Sequence, residues 1–169
     1  GNGHKVISSA NRVFRVYNSN VEVTLNDVNM VSNAVRVSSN DIRGISIDGS
    51  LTNVKLTLND CSVDFTQPAN DWAYAVNVTG GSGNTLTING GTFEHLHSAT
   101  SGGVVICNRT RGTVYVNGGN FSGGNYYGND NLSDYGYGGT FSVKGGVFSA
   151  NPAAKYIADG YKSVLIDAN

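Results

Sequence analysis

The chain has 169 residues, which suits a single domain spanning residues 1–169. Only 14% of its residues are charged, against roughly 25% in an ordinary soluble domain. Eleven basic and twelve acidic residues leave a net charge of −1, which removes any electrostatic case for nucleic acid or an anionic membrane surface.

Apolar residues make up 39% and recur regularly, against the composition of a disordered chain, and no apolar run approaches the roughly 20 residues of a membrane span. Glycine is abundant, at 23 residues, and proline scarce, at 2, which suits strands and tight turns rather than helices.

Gly1-Asn2-Gly3-His4 reads as an extraneous leader ahead of the middle of a longer protein, so the lack of a signal peptide carries no weight. Arg12–Tyr17 then reads as a short strand. Glu22-Val-Thr-Leu-Asn-Asp-Val-Asn-Met30 follows, with apolar residues alternating with polar ones before a polar corner. That period is the one expected of a half-buried strand. Ala34–Val37 and Gly44–Asp48 predict further strands.

The same nine-residue unit returns without gaps at Lys55–Val63, Thr85–Phe93, Thr113–Phe121 and Thr140–Phe148, with starts that advance by 33, 30, 28 and 27 residues. Between the copies, Tyr74–Val78 and Val104–Cys107 read as strands. An Asn-Gly between apolar runs is ordinarily a hairpin signal, which would give an antiparallel sandwich or barrel. The constant period decides against hairpins, because only a coiled path returns the same side chain to the same place every ~30 residues.

The predicted fold is therefore all-β: a single-stranded, right-handed parallel β-helix (a solenoid) of about five coils over roughly residues 12–150, with a C-terminal cap over 151–169. Three inward columns are expected: Val23, Leu56, Leu86, Val114, Phe141; Leu25, Leu58, Ile88, Val116, Val143; and Met30, Val63, Phe93, Phe121, Phe148. Asn26, Asn59, Asn89 and Asn117 predict a ladder of stacked amides that Lys144 interrupts. Asn151–Tyr161 should pack over the last coil, and Ser163–Asp167 should add a final strand. Cys61 and Cys107 admit a disulfide, but each sits in an apolar strand pattern that favours buried free thiols.

The units Gly90-Gly91-Thr92-Phe93, Gly118-Gly119-Asn120-Phe121 and Gly145-Gly146-Val147-Phe148 resemble the Gly-Gly-x-Phe repeats of bacterial cell-surface and secreted β-helix proteins of the pectate-lyase-like superfamily. The ending Phe148–Tyr161 resembles the closing motif of such repeats. The resemblance is clear over residues 84–161. Over residues 13–83 it rests on spacing, because Asn-Asp-Val and Asn-Asp-Cys replace Asn-Gly-Gly. It implies the fold and an extracellular or cell-surface location, and it carries over no catalytic residue.

Stacking explains most recurring residues, so chemistry is expected from what interrupts the repeat: residues 66–74, 94–101 and 123–139. Tyr126, Tyr127, Tyr135 and Tyr137 lie in one Gly/Asn-rich segment, and Trp72 and Tyr74 join them if both segments leave the same side. Aromatic faces with amide and carboxylate partners suit sugar rings.

Other candidates have plain structural readings beside them. His95 and His97 with Glu94 have weak metal-ligand spacing and read first as a solvated turn. Arg109 and Arg111 would neutralise a uronate carboxylate in an enzyme of the resembled fold, and read first as an exposed turn. Asp41 with Arg43, and Asp64 with Asp71, supply carboxylates without evidence that they converge. Asp130 and Asp134 have oxygen ligands for calcium, but not EF-hand spacing.

The expected function is a surface module that binds carbohydrate and adheres, as an adhesin does. A polysaccharide lyase or glycoside hydrolase on the same fold, and a passive stalk, are the competing readings. No cofactor is expected, and the oligomeric state stays open.

Overall fold

A computed structural model of the chain describes residues 4–35, 41–66, 72–95, 103–109, 111–124 and 131–166. The path opens with β1 (Lys5–Ser8), β2 (Arg12–Val16) and β3 (Glu22–Asn26), which give one strand to each of three sheets, A, B and C. The cycle repeats with β4 (Asn29–Ser32), β5 (Ile42–Ile47) and β6 (Lys55–Asn59), then β7 (Cys61–Phe65), β8 (Ala73–Val78) and β9 (Thr85–Ile88). It continues through β10 (Gly91–His95), β11 (Gly103–Asn108), β12 (Thr113–Val116), β13 (Asn120–Gly123), β14 (Leu132–Ser133) and β15 (Thr140–Val143). A last strand, β16 (Val147–Phe148), gives sheet A six strands beside five each in B and C. Every pairing between named strands is parallel.

The fold is a parallel β-solenoid. Five rungs of sheet C enclose about four full turns, so the expected five coils are five repeat copies with four turns between first and last. Each rung contributes alternating Val, Ile, Leu or Phe, residues that favour a pleated, half-buried surface.

All three expected columns form. In sheet C, Val23 pairs with Leu56, Leu56 with Leu86, Leu86 with Val114, and Val114 with Phe141. The Leu25–Leu58–Ile88–Val116–Val143 column lies two residues along the same strands. In sheet A, Met30, Val63, Phe93, Phe121 and Phe148 align, and Phe93, Phe121 and Phe148 stack with ring centroids 5.4 and 4.7 Å apart. Full burial of each such side chain contributes about 1.5–3 kcal/mol.

The asparagine ladder runs along the outer edge of the corner. Each Nδ2 donates to the Oδ1 one turn earlier: Asn59 to Asn26 at 2.7 Å, Asn89 to Asn59 at 2.7 Å, and Asn117 to Asn89 at 2.8 Å. Lys144 ends it, as expected. A single contact of the same kind joins Asn53 to Asn20 at 3.0 Å.

The corner itself differs between early and late turns. Asp27 (φ 52°) and Asp60 (φ 50°) take the left-handed conformation directly after the ladder asparagine. In the three later turns the positive φ moves one residue on, to Gly91, Gly119 and Gly146. This shift accounts for Asn-Asp in the first two copies and the Gly-Gly pair afterwards.

Sheet B is buried on both faces across β8 and β11. Its inner side gives Ile45, Val76, Ile106 and Leu132 to the main core. Its outer side carries Tyr74, Val104 and Cys107, which form a separate cluster with Trp72 and Tyr135. Both cysteines are buried free thiols.

The predicted cap forms over the last rung. Ala154–Tyr156 makes a 3₁₀ turn, Tyr156 packs on Phe141 with centroids 4.6 Å apart, and Ile157 bridges to Val143. The expected final strand does not form over residues 163–166. Val164, Leu165 and Ile166 are exposed and unpaired in sheet terms, because Ile157 and Ala158 already occupy the free edge at Val143.

Two described strands were not foreseen from the repeat. They are β1, and β14 within the segment read as a loop. Residues 34–35 of the predicted strand Ala34–Val37 are not strand, and the rest of it lies outside the described residues.

Candidate functional site: an aromatic platform and a cavity beneath the cap

Stacking of sheet B brings the candidate aromatic residues together. Trp72 enters β8, Tyr74 lies within it, Arg109 leaves β11 one turn later, and Tyr135 and Tyr137 leave β14 one turn beyond. Trp72 lies before its strand and Tyr135 after its own, at opposite ends of sheet B, and the Tyr135 ring meets Trp72 and Tyr74 across the outer face of the sheet.

Tyr135 is the hub. Its ring lies 5.8 Å from Trp72 (51° tilt) and 6.2 Å from Tyr74 in an edge contact of 79°. The Arg109 guanidinium sits 5.4 Å from the Tyr135 centroid and 4.8 Å from the Tyr137 centroid. Its Nη2 donates to the Tyr137 hydroxyl at 3.1 Å. Tyr137 is 58% exposed, whereas Tyr74 is fully buried behind Tyr135. The solvent-facing part of the platform is thus Tyr137 over Arg109, backed by Tyr135 and Trp72. Burial pushes the Tyr74 hydroxyl and the Cys107 thiol to higher pKa, so both stay neutral supports.

Tyr126, Tyr127, Asp71, His97 and Asp130 lie outside the described residues. His95 is buried, with its ring 5.9 Å from Phe65, which differs from the solvated turn expected for it. Arg111 is exposed. Asp64 stands on sheet A, away from the platform. Among the described residues no group of three or more His, Cys, Asp or Glu side chains converges as a metal site.

Asp41 and Arg43 do pair, at 3.1 Å, but as part of a larger network. Asp48, itself buried, accepts from Arg12 Nε at 2.5 Å and from Arg43 Nη1, and forms an ion pair with Arg15 Nε at 2.9 Å. This cluster was not foreseen, although register signals it: Arg12 and Arg43 align in sheet B, and Asp48 directly follows the strand that carries Arg43. Three guanidiniums share two carboxylates, and the group ties the first two rungs together.

Next to the platform is a cavity of about 440 Å³, walled by residues 131–136 on one side and by 151–153, 155 and 156 on the other. Asn131 fixes the wall: its Nδ2 donates to Gly123 O (2.8 Å) and Ser149 Oγ (3.0 Å), and its Oδ1 accepts from Ala150 N (2.9 Å). Asp134 faces Lys155, 3.2 Å away, and accepts from Tyr156 Oη (3.0 Å) and Gly136 N (3.1 Å). Lys155 and Tyr156 could be found in the sequence only as cap residues. Nothing periodic links them to Asp134.

The Asp134 carboxyl is pulled two ways. Burial pushes its pKa up, and hydrogen bonds from Gly136, Lys155 and Tyr156 more than offset this, holding it below its ordinary value of 3.8. A carboxyl lowered in the folded state stabilises the fold fully above the ordinary value and loses that contribution as pH falls through the lowered one. The gap in melting temperature between this protein and Asp134→Asn should be constant near neutrality and shrink as pH drops below 3.8. Lys155 has the opposite sign: its hydrogen bond to Asp134 raises it above 10.5, so its contribution holds below that pH and fades as pH rises through the raised value. Thermal melts across pH check both limbs, and a gap that persists unchanged into acid would refute the pairing.

No protein-family model matches this chain, and no curated protein or solved structure matches it either.

Proposed function

We propose that this chain is a β-solenoid module of an extracellular or cell-surface protein that binds carbohydrate at the platform beside sheet B. The observation that carries this reading is the exposed Tyr137 ring held by the Arg109 guanidinium and backed by Tyr135 and Trp72. A sugar ring presents a C–H face that stacks on an aromatic face and hydroxyls that bond to a fixed guanidinium. A rigid rod under the platform removes much of the ordering cost that binding would otherwise carry.

The location rests on the Gly-Gly-x-Phe units and their resemblance to secreted pectate-lyase-like β-helices. Low charge and a composition rich in Asn, Ser and Thr agree with it.

Glycan-array binding followed by titration calorimetry tests the reading. Tyr137→Ala should weaken the best glycan about tenfold, in keeping with the ~0.5–1.5 kcal/mol of a ring contact plus a lost hydroxyl bond. Binding that ignores both Tyr137→Ala and Trp72→Ala would sink the platform, and no binding to any glycan would favour a passive stalk. Release of product from a polysaccharide, lost on Arg109→Ala or Arg111→Ala, would establish a lyase or hydrolase instead.

A further inference from the structure

We propose that the cavity beneath the cap is a subsite for one neutral pyranose residue, gripped through two adjacent hydroxyl groups by the Asp134–Lys155 pair. This inference rests on the carbohydrate reading above and adds a second, separable contact to it.

Three observations carry it. The first is size: about 440 Å³ falls in the lower part of the ~300–1,000 Å³ range of small-molecule sites. The second is spare hydrogen-bonding capacity at fixed positions. Among the described residues, Asp134 Oδ1 accepts from Gly136 N, Tyr156 Oη and Lys155 Nζ, whereas Oδ2 accepts from Lys155 Nζ alone. Oδ2 therefore keeps an acceptor lone pair. The ammonium has three donors, bonds to this carboxylate, lies 4.9 Å from the Tyr156 ring centroid, and belongs to a side chain that is 61% exposed. An acceptor and a donor thus stand 3.2 Å apart. Neighbouring hydroxyls on a pyranose match that pair, one donating to the carboxylate and the other accepting from the ammonium.

The third observation is charge and polarity. Among the described residues Asp134 and Lys155 are the charged side chains lining the cavity, and they cancel. A carboxylated or sulfated sugar would find no uncompensated cation there, whereas Leu132 and Pro152 offer apolar surface to a C–H face. Tyr135 lines the cavity and also touches Trp72, Tyr74 and Arg109. A saccharide held in the cavity can therefore continue onto the platform.

The test uses the intact 169-residue chain, with the methyl pyranosides of glucose, galactose and mannose as probes, their singly deoxygenated counterparts, and the corresponding methyl uronides. Amide resonances of Gly136 and Lys155 should shift on titration with at least one neutral pyranoside. Removing either of two adjacent hydroxyls should weaken that probe at least tenfold. Lys155→Met should do the same while the chain still melts cooperatively at pH 7, at a temperature lowered by loss of the ion pair. Ala153→Phe, which fills the cavity from the opposite wall, should also block the probe while leaving the ion pair in place. Preference for the uronide, or loss that follows no adjacent hydroxyl pair, overturns the proposal. Oligosaccharide binding lost in Tyr137→Ala yet untouched by Lys155→Met and Ala153→Phe would retain the platform and eliminate the cavity. No binding of any saccharide would eliminate both.

Discussion

Replacing Gly91 by alanine should lower stability by more than about 3 kcal/mol, equivalent to a fall in melting temperature on the order of 10 °C. Two effects add at this position. Gly91 has φ +104°, a conformation that costs any other residue on the order of 1–3 kcal/mol. A Cβ there would also lie 1.8 Å from the carbonyl oxygen of Cys61 and 2.8 Å from its C and N. The obstacle is backbone, so no rotamer change relieves it, and β7 and β10 would have to separate where Gly91 pairs with Cys61.

The position is singular because it joins the two corner types. Asp60 is left-handed in the turn below, whereas Gly91 is the positive-φ residue in the turn above. Gly119 and Gly146 sit above like corners and have looser surroundings, with nearest contacts of 3.2 and 3.0 Å. Gly49→Ala isolates the conformational part, since Gly49 has φ +66° and nothing within 4 Å of its Cβ. Denaturant melts should rank Gly91→Ala well below Gly119→Ala, and Gly119→Ala at or below Gly49→Ala. Equal losses at Gly91 and Gly49 would mean that the close approach to Cys61 is not present in solution.

That contrast marks what a single sequence displays. Register was readable because side chains alternate with period 2 and the unit returns at nearly constant spacing. Val23, Leu56, Leu86, Val114 and Phe141 had no other consistent alignment, and the Asn26–Asn117 ladder followed from it. The corner change was partly visible as Asn-Asp against Asn-Gly-Gly, but the one-residue shift in positive φ depends on the turn below and is not written in either copy alone.

Departures from periodicity were read less well. Leu132–Ser133 forms a two-residue rung within a Gly- and Asn-rich segment, where the surrounding composition argued for a loop. Ser163–Ile166 has strand composition and no partner, since Ile157 and Ala158 reach the edge of β15 first. The platform was half legible: the period places Trp72, Tyr74 and Tyr135 beside stacked rungs of one sheet, but Trp72 precedes its strand and Tyr135 follows its own, so their contact depends on where the Tyr135 ring lies. Arg109 was singled out as a separate candidate, and its place between Tyr135 and Tyr137 needed the path of a non-repeating connection. The Asp134–Lys155 contact spans 21 residues across the cap and leaves no sequence signal.

Phe121→Ala should cost about 3–5 kcal/mol, and its effect should reach the proposed binding region. Phe121 is 1% exposed and lies between Phe93 and Phe148, with interplanar angles of 9° and 11°. Truncation leaves a gap in a stacked column whose neighbours are held in register by their own strands, so the gap cannot collapse easily. Phe121→Leu keeps most of the apolar volume and should cost markedly less, and Phe148→Ala, at the half-exposed end of the column, should fall between the two. In a solenoid each turn is stabilised chiefly by its neighbours, so the damage should spread toward the C-terminal end rather than evenly. The route is specific. Asn131 bonds to Gly123, Ser149 and Ala150, which directly follow the Phe121 and Phe148 rungs. Loosening those rungs frees one wall of the cavity and the segment that carries Asp134, Tyr135 and Tyr137. Hydrogen exchange on Phe121→Ala should therefore show protection lost in β13 to β16 and the cap while β2, β5 and β3 keep theirs. Uniform loss along the rod would mean that the solenoid unfolds as one unit and that column and cavity are not coupled in this way.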